Sequence, residues 1–304
     1  MPSNDPHVFR SGFVAIVGRP NVGKSTMLNA IVGRKVSIVS DKPQTTRTQV
    51  RGVRTTGDSQ LVFLDTPGLH RPRTLLGERG NERALATLEE VDVVCFVIEA
   101  NAPIGPGDRF VAGRLAEVDT PVVLALNKID AATHDEIGEH LALASGELGD
   151  FAAYVPVSAR GGIGLDALVA EFTARLPEGP HYYPDDVVAD QPESFLVAEL
   201  LREQLLKVAR EELPHSIAVN TDDLEERRTS SGEPLLAVRV TVRVERQSQK
   251  GVVIGKGGEV LKAAGTAARR ELEALLGVRV HLETRVKVEP DWQRRAGSLD
   301  HLGL

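Results

Sequence analysis

The 304-residue sequence predicts a doubly wound α/β domain followed by a smaller α+β domain. Three observations carry this reading. Short apolar runs at 91–98, 121–126 and 153–157 alternate with helical patterns at about 76–89, 107–117, 133–147 and 164–175, as in a parallel sheet buried on both faces. Residues 176–186 then place three prolines in a short polar stretch, which reads as a linker. Beyond it the order becomes α-β-β-α-α-β. The expected divisions are 1–180, a linker at 181–192, and 193–304.

The first domain opens on an apolar strand, a glycine-framed loop and a helix at about 24–32. The loop, Gly18-Arg19-Pro20-Asn21-Val22-Gly23-Lys24-Ser25-Thr26, fits G-x-x-x-x-G-K-[ST], which turns backbone N–H groups around a phosphate. Lys24 is then placed to reach the β- and γ-phosphates, and Ser25 to ligate Mg²⁺. A polar stretch containing Thr45, Thr46 and Arg47 follows. Alternating runs at 48–56 and 60–64, joined at Gly57-Asp58, predict a hairpin.

Three further strand-end motifs narrow the chemistry. Asp65-Thr66-Pro67-Gly68 puts a carboxylate near Mg²⁺ through water, and the Gly68 N–H near a γ-phosphate. Asn127-Lys128-Ile129-Asp130 offers a carboxylate that accepts two hydrogen bonds from guanine, where adenine has no matching donors. Ser158-Ala159-Arg160 ends the next strand and can offer a backbone N–H to the guanine carbonyl. Alone, each tripeptide or tetrapeptide reads as an ordinary turn. In order, at successive strand ends and with the phosphate loop, they describe one guanine-nucleotide site.

In the second domain a helix is expected at about 193–212, stopping at Pro214, then strands at 217–227 and 235–245 and a last strand at 278–288. Between a short helix ending in Val252-Val253-Ile254 and a longer one at 259–276 lies Gly255-Lys256-Gly257-Gly258. This Gly-x-x-Gly form, in this element order, is that of a type II KH domain, whose loop clamps single-stranded RNA. Arg246, Lys250, Ile254, Gly255, Lys256, Gly257, Gly258 and Lys262 are the candidate RNA contacts. From Arg239 to Lys262, Arg239, Arg243, Arg246, Lys250, Lys256 and Lys262 stand against Glu245 and Glu259.

The net charge of −7 argues against indiscriminate nucleic-acid binding. It is unevenly spread, because residues 193–304 hold 18 Lys+Arg and 18 Asp+Glu, so the deficit lies entirely in the first 192. No apolar run is long enough to span a membrane, and residues 1–7 lack the layout of a secretory signal. The single cysteine, Cys95, lies in an apolar run and reads as core, which fits a reducing cytoplasm. Trp292 reads as packing the C-terminal tail.

The first-domain motifs resemble the GTPase superfamily, in its translation-factor-like branch. Together with the appended KH domain, the chain closely resembles the Era-like GTPase family over nearly its whole length. That resemblance implies GTP/GDP and Mg²⁺ as cofactors. It makes Thr45-Thr46-Arg47 the first switch, with one of Thr45 and Thr46 on Mg²⁺ and Thr46 preferred. The metal set is therefore Ser25, Thr45, Thr46 and Asp65. Lys24, Thr46, Gly68 and Asn21 are the candidate catalytic residues. Where Ras-like proteins carry a water-orienting glutamine, this chain has Leu69, so slow intrinsic hydrolysis is expected. Relatives with the loop asparagine use a potassium ion, which here would be ligated by Asn21. The family also implies binding to the 3′ end of 16S ribosomal RNA, maturation of the 30S subunit, peripheral contact with the inner membrane from the cytoplasm, and a monomer. The competing reading is an RNA-binding assembly scaffold whose GTP site is structural and barely turns over.

Overall fold

The computed structural model describes residues 8–42, 45–208 and 213–304. The chain divides into two compact units. The first takes in the residues up to Ser37, then Thr46–Arg73 and Gly77–Asp190; the second takes Ile38–Thr45, Thr74–Leu76 and Gln191–Leu304.

In the first unit, β1 (Arg10–Val17) leads through the phosphate loop into α1 (Lys24–Val32). The hairpin β2 (Val50–Thr55) and β3 (Ser59–Asp65) follows, then α2 (Leu75–Glu90), β4 (Val93–Glu99) and α3 (Pro106–Leu115). β5 (Val122–Asn127), α4 (His134–Leu148), β6 (Ala153–Pro156) and α5 (Leu165–Thr173) complete it. The sheet order is β2-β3-β1-β4-β5-β6, with only β2 antiparallel to its neighbour. The order reverses at β1, so the loop after β1 opens at the crevice where doubly wound sheets bind ligands. β3 and β4 are buried at every position, as strands with helices on both faces must be. On one face Val17, Val62, Val94, Phe96 and Leu124 share a core with Leu88, Val111 and Leu148 of the helices. On the other, Phe63 meets Phe172 edge-on at 6.0 Å. Cys95 is fully buried between the layers, and burial pushes its thiol pKa far up.

The stretch read as a linker is ordered against this unit up to Asp190. Gln60 accepts the N–H groups of Tyr182 and Tyr183 at 2.7 and 2.9 Å, and Ala189 bridges Gly52 of β2. The stretch meets β1 at Arg10, β3 at Gln60 and β2 at Gly52 in turn.

The second unit contains α6 (Glu193–Val208), α7 (Leu213–Ser216), β7 (Ala218–Arg228), β8 (Pro234–Val244) and α8 (Gln247–Ile254). α9 (Glu259–Leu276), β9 (Arg279–Val288) and α10 (Ala296–His301) follow. The expected helix at 193–212 is described only to Val208; residues 209–212 lie outside the described residues, as do residues 1–7 and 43–44. Pro214 sits in the first turn of α7, where its missing N–H would have no helical partner. The sheet order is β7-β8-β9, β7 antiparallel and β9 parallel to the central strand. Leu236, Val238, Val240, Val242 and Val244 of β8 pack with Leu200, Leu201 and Leu205 of α6 and Ala264, Ala268 and Leu272 of α9. The alanines of α9 let that helix sit close to its neighbours. Ile38 joins this core. The Val39 N–H donates to Glu203 at 2.8 Å, and the Arg202 guanidinium donates to the Thr45 carbonyl.

Trp292 does pack the tail. It is fully buried with Ala218, Leu299, Leu304 and Leu76, and its indole N–H donates to the Ser216 carbonyl at 3.0 Å. Trp292→Ala removes both the buried ring and a donor to that carbonyl. It is expected to destabilise the second unit by about 3–5 kcal/mol, read as an earlier midpoint in denaturant unfolding of the full chain.

Candidate nucleotide site and RNA groove

The phosphate loop is shaped by residues that leave it little choice. Gly23 has φ 96°, and a Cβ there would lie 2.4 Å from the Asn127 Nδ2, so only glycine fits. Asn127, buried at the end of β5, donates to the Val22 carbonyl at 2.8 Å and accepts the Ala159 N–H at 3.0 Å. That one amide ties the phosphate loop, the Asn127–Asp130 turn and the Ser158–Arg160 turn together. The Ala159 N–H is thereby engaged inside the protein, while Arg160 is exposed.

Lys24 is buried beneath its loop, its ammonium donating to the Gly18 and Arg19 carbonyls at 3.1 Å each. Burial lowers its pKa to about 8, against the pull of Asp65 and with a further push from Arg19. Pro20 meets Gly68, where an added Cβ would lie 3.0 Å from the Pro20 nitrogen. Val22 is core, Thr26 is half-buried at the start of α1, and the buried Thr66 hydroxyl donates to the Ile16 carbonyl at 2.9 Å. Pro67 is buried beside Gly80 of α2.

Beside the loop, four side chains meet. Ser25 Oγ donates to Asp65 Oδ2 at 2.7 Å and lies 3.0 Å from Thr46 Oγ1. Thr46 and Ser37 donate to the same carboxylate oxygen at 3.3 and 3.0 Å. The other oxygen, Asp65 Oδ1, is buried with no protein partner. Burial raises the Asp65 pKa, with Lys24 and the three hydroxyls opposing that shift. A buried carboxylate with one vacant oxygen, ringed by hydroxyls, suits a hard divalent cation. Among the described residues no group of three or more His, Cys, Asp or Glu side chains could hold a metal. Mg²⁺ takes few protein ligands and relies on phosphate and water for the rest.

Of the two threonines, Thr46 is in this cluster and Thr45 is not; the Thr45 hydroxyl donates to the Lys42 carbonyl at 2.6 Å. Ser37 was not legible as a site residue. It is brought in by Asn29, whose side-chain oxygen accepts the Val36 and Ser37 N–H groups at 2.8 and 2.9 Å.

On the guanine side, Asp130 is exposed and accepts from Ser158 Oγ at 2.6 Å. That hydrogen bond is the main reason its pKa is lowered, so the carboxylate is firmly ionised and fixed in direction. Lys128 sits at φ 66°, with its ammonium 3.0 Å from the Asn21 carbonyl. Asn21 is itself left-handed at φ 70° and exposed at the loop's mouth. Leu69 is fully buried in the apolar core, so its side chain cannot reach a water at the γ-phosphate position.

In the second unit, Gly255, Gly257 and Gly258 all have positive φ, and a Cβ on Gly255 would lie 2.5 Å from the Val260 side chain. This turns the chain sharply between α8 and α9. It leaves Lys256 and Lys262 exposed, with Arg246 exposed at the start of α8 and Lys250 and Ile254 half-buried along it. Beside the turn runs a groove of about 340 Å³ lined by Gly258, Leu261, Lys262, Arg269, Leu282 and Thr284. Leu261, Arg269, Leu282 and Thr284 were missed from sequence. The signal for the helical pair is their spacing on α9, which shares a face with Gly258 and Lys262. Arg239 and Arg243 do not extend the basic surface. Arg239 pairs with Asp223 at 2.5 Å, and Arg243 is buried against Glu289 at 2.9 Å.

A family model described as 50S ribosome-binding GTPase matches residues 13–128, and a KH-domain model matches 212–293. The chain is 46% identical over 295 residues to GTPase Era from Alkaliphilus metalliredigens (strain QYMF), covering 97% of this chain and 99% of that protein. Among solved structures, Era in complex with MgGDPNP and nucleotides 1506–1542 of 16S ribosomal RNA is 39% identical, with TM-score 0.93, over 97% of this chain and 99% of the other. A single-site variant of Aquifex aeolicus Era bound to GDP and AlF4⁻ is 38% identical, with TM-score 0.92 over the same shares.

Nucleotide phosphates favour the charged form of Lys24. With a free-state pKa of about 8, binding above that pH requires proton uptake, and affinity must fall. GDP titrations by calorimetry from pH 7 to 9.5 are expected to show that decline. Lys24→Ala should bind far more weakly and without it.

Proposed function

The chain belongs to the Era family of GTPases, and from that premise we propose that it is a GTP-hydrolysing switch that binds the 3′ end of small-subunit ribosomal RNA and assists 30S maturation. The observation that carries the reading is the full-length likeness to Era holding both MgGDPNP and that RNA segment. In this chain, Lys24 and the loop amides bind the β- and γ-phosphates. Ser25 and Thr46 present hydroxyls to Mg²⁺, with Asp65 oriented behind them by Ser37. Bound there, Mg²⁺ supplies charge neutralisation on the phosphate oxygens. Asp130, aimed by Ser158, selects guanine. The Gly255–Gly258 turn admits an RNA backbone closely, while Lys256 and Lys262 neutralise its phosphates.

GTP orders the segment around Thr46, and hydrolysis releases it. RNA affinity is therefore higher with GDPNP than with GDP, and RNA in turn favours GTP by the same factor. Equal RNA affinity in the two states overturns the switch. The burial of Leu69 favours one second reading, a scaffold with negligible turnover. Single-turnover hydrolysis with and without a 3′-terminal 16S oligonucleotide separates the two, since the switch requires hydrolysis that RNA modulates. Potassium ligated by Asn21 would supply the positive charge that Leu69 cannot. Hydrolysis should then be faster in potassium than in sodium buffer, and equal rates exclude that role.

Removing two phosphate-facing lysines has a distinct signature. Lys256→Ala with Lys262→Ala should lower the slope of log affinity against log salt by about 1.4 for single-stranded RNA, measured by filter binding. GDP affinity should be unchanged.

A further inference from the structure

Glu99 ends β4, directly across the ladder from Asn127. Its side chain is only 9% exposed, yet no motif assigns it a task. One carboxylate oxygen accepts from the Arg19 guanidinium and the other from the Lys128 ammonium. Arg19 continues to Asp108 at 3.1 Å, and Asp108 caps α3 through the Gly105 N–H at 3.0 Å. Lys128 continues to the Asn21 carbonyl at 3.0 Å. The path leaves the phosphate loop at Arg19 and returns to it at Asn21, passing through one carboxylate between two cations, with Asp108 as a branch from Arg19.

We infer that Glu99 is a positioning residue for guanine-nucleotide binding, holding Lys128 as a fixed wall of the base site. The inference rests on the guanine reading of the Asn127–Asp130 turn. Lysine is a flexible four-carbon stem that loses rotamer freedom whenever it is ordered. A side chain already ordered before the ligand arrives adds affinity by sparing that loss on binding. Glu99 also separates two cations, Arg19 and Lys128, which would otherwise repel one another across a poorly solvated gap. Without it, Lys128 leaves the loop, and both the wall and the tether on Asn21 are lost.

The test is a double-mutant cycle on the full chain, with GDP and ADP as ligands. Glu99→Ala is expected to raise the Kd for GDP about tenfold, the worth of roughly one charged hydrogen bond. Glu99→Asp should recover most of the loss. The double variant Glu99→Ala/Lys128→Ala should bind GDP no more weakly than Lys128→Ala alone, since Glu99 acts through that lysine. A role confined to general stability would instead give additive losses, and that result overturns the proposal. Should Glu99→Ala fail to fold, Glu99→Gln keeps the volume, removes the charge and is read the same way. A wild-type chain that binds ADP as tightly as GDP overturns the guanine reading and this proposal together. Wild-type selectivity with a silent Glu99→Ala overturns the proposal alone.

Discussion

The side-chain amide of Asn127 is the contact on which the nucleotide site depends. It is buried, so both ends must find partners, since an unmet polar group there costs about 1–3 kcal/mol. It finds them on two different loops, at Val22 and Ala159. Three segments far apart in sequence thereby become one rigid edge above the sheet. The absence of a side chain at Gly23 follows from the same amide, which occupies the space a Cβ would take. Loop, base-reading turn and closing turn are therefore not separate motifs that happen to coincide. They share a keystone, and their geometry can change only together.

A second feature of this edge is how sparingly it uses charge. Lys24 and Asp65 are both buried, and burial pushes each toward its neutral form while each supports the charge of the other. Neither is fully satisfied by protein alone. The lysine rests on carbonyls, and one carboxylate oxygen has no protein partner. The polyanion and divalent ion of a nucleotide complex complete both. The second unit handles charge differently. The arginines of β8 that face away from its apolar core, Arg239 and Arg243, are internally paired, whereas Arg246 at the start of α8 and Lys256 and Lys262 at the glycine turn are exposed. Pairing with nearby carboxylates thus withdraws the two β8 arginines from the charge offered at the turn.

Much of this was legible in the sequence. The hairpin at Gly57-Asp58 and the helix at 259–276 were readable because glycines mark their limits, with Gly258 and Gly277 both left-handed at the ends of α9. The strand-end motifs were readable because their residue types follow from phosphate and guanine chemistry. What stayed hidden depends on distance in sequence. Ser37 reaches Asp65 only because Asn29 folds its loop back, and nothing near Ser37 announces it. Glu99 and Asp108 carry no motif, and their cationic partners lie as far away as Arg19. Counting Arg243 toward a basic stretch misled, because its partner Glu289 follows forty-six residues later. The short helices α7 and α10 are too brief for periodicity to register.

The burial of Cys95 has a practical consequence. The chain's single thiol is sealed between sheet and helices and held protonated by its apolar surroundings. Thiolate chemistry is therefore closed to the folded native protein. A cysteine introduced at any exposed position becomes the sole reactive thiol, and a fluorophore or spin label attached there reports on that position alone, without first deleting a native residue from the core.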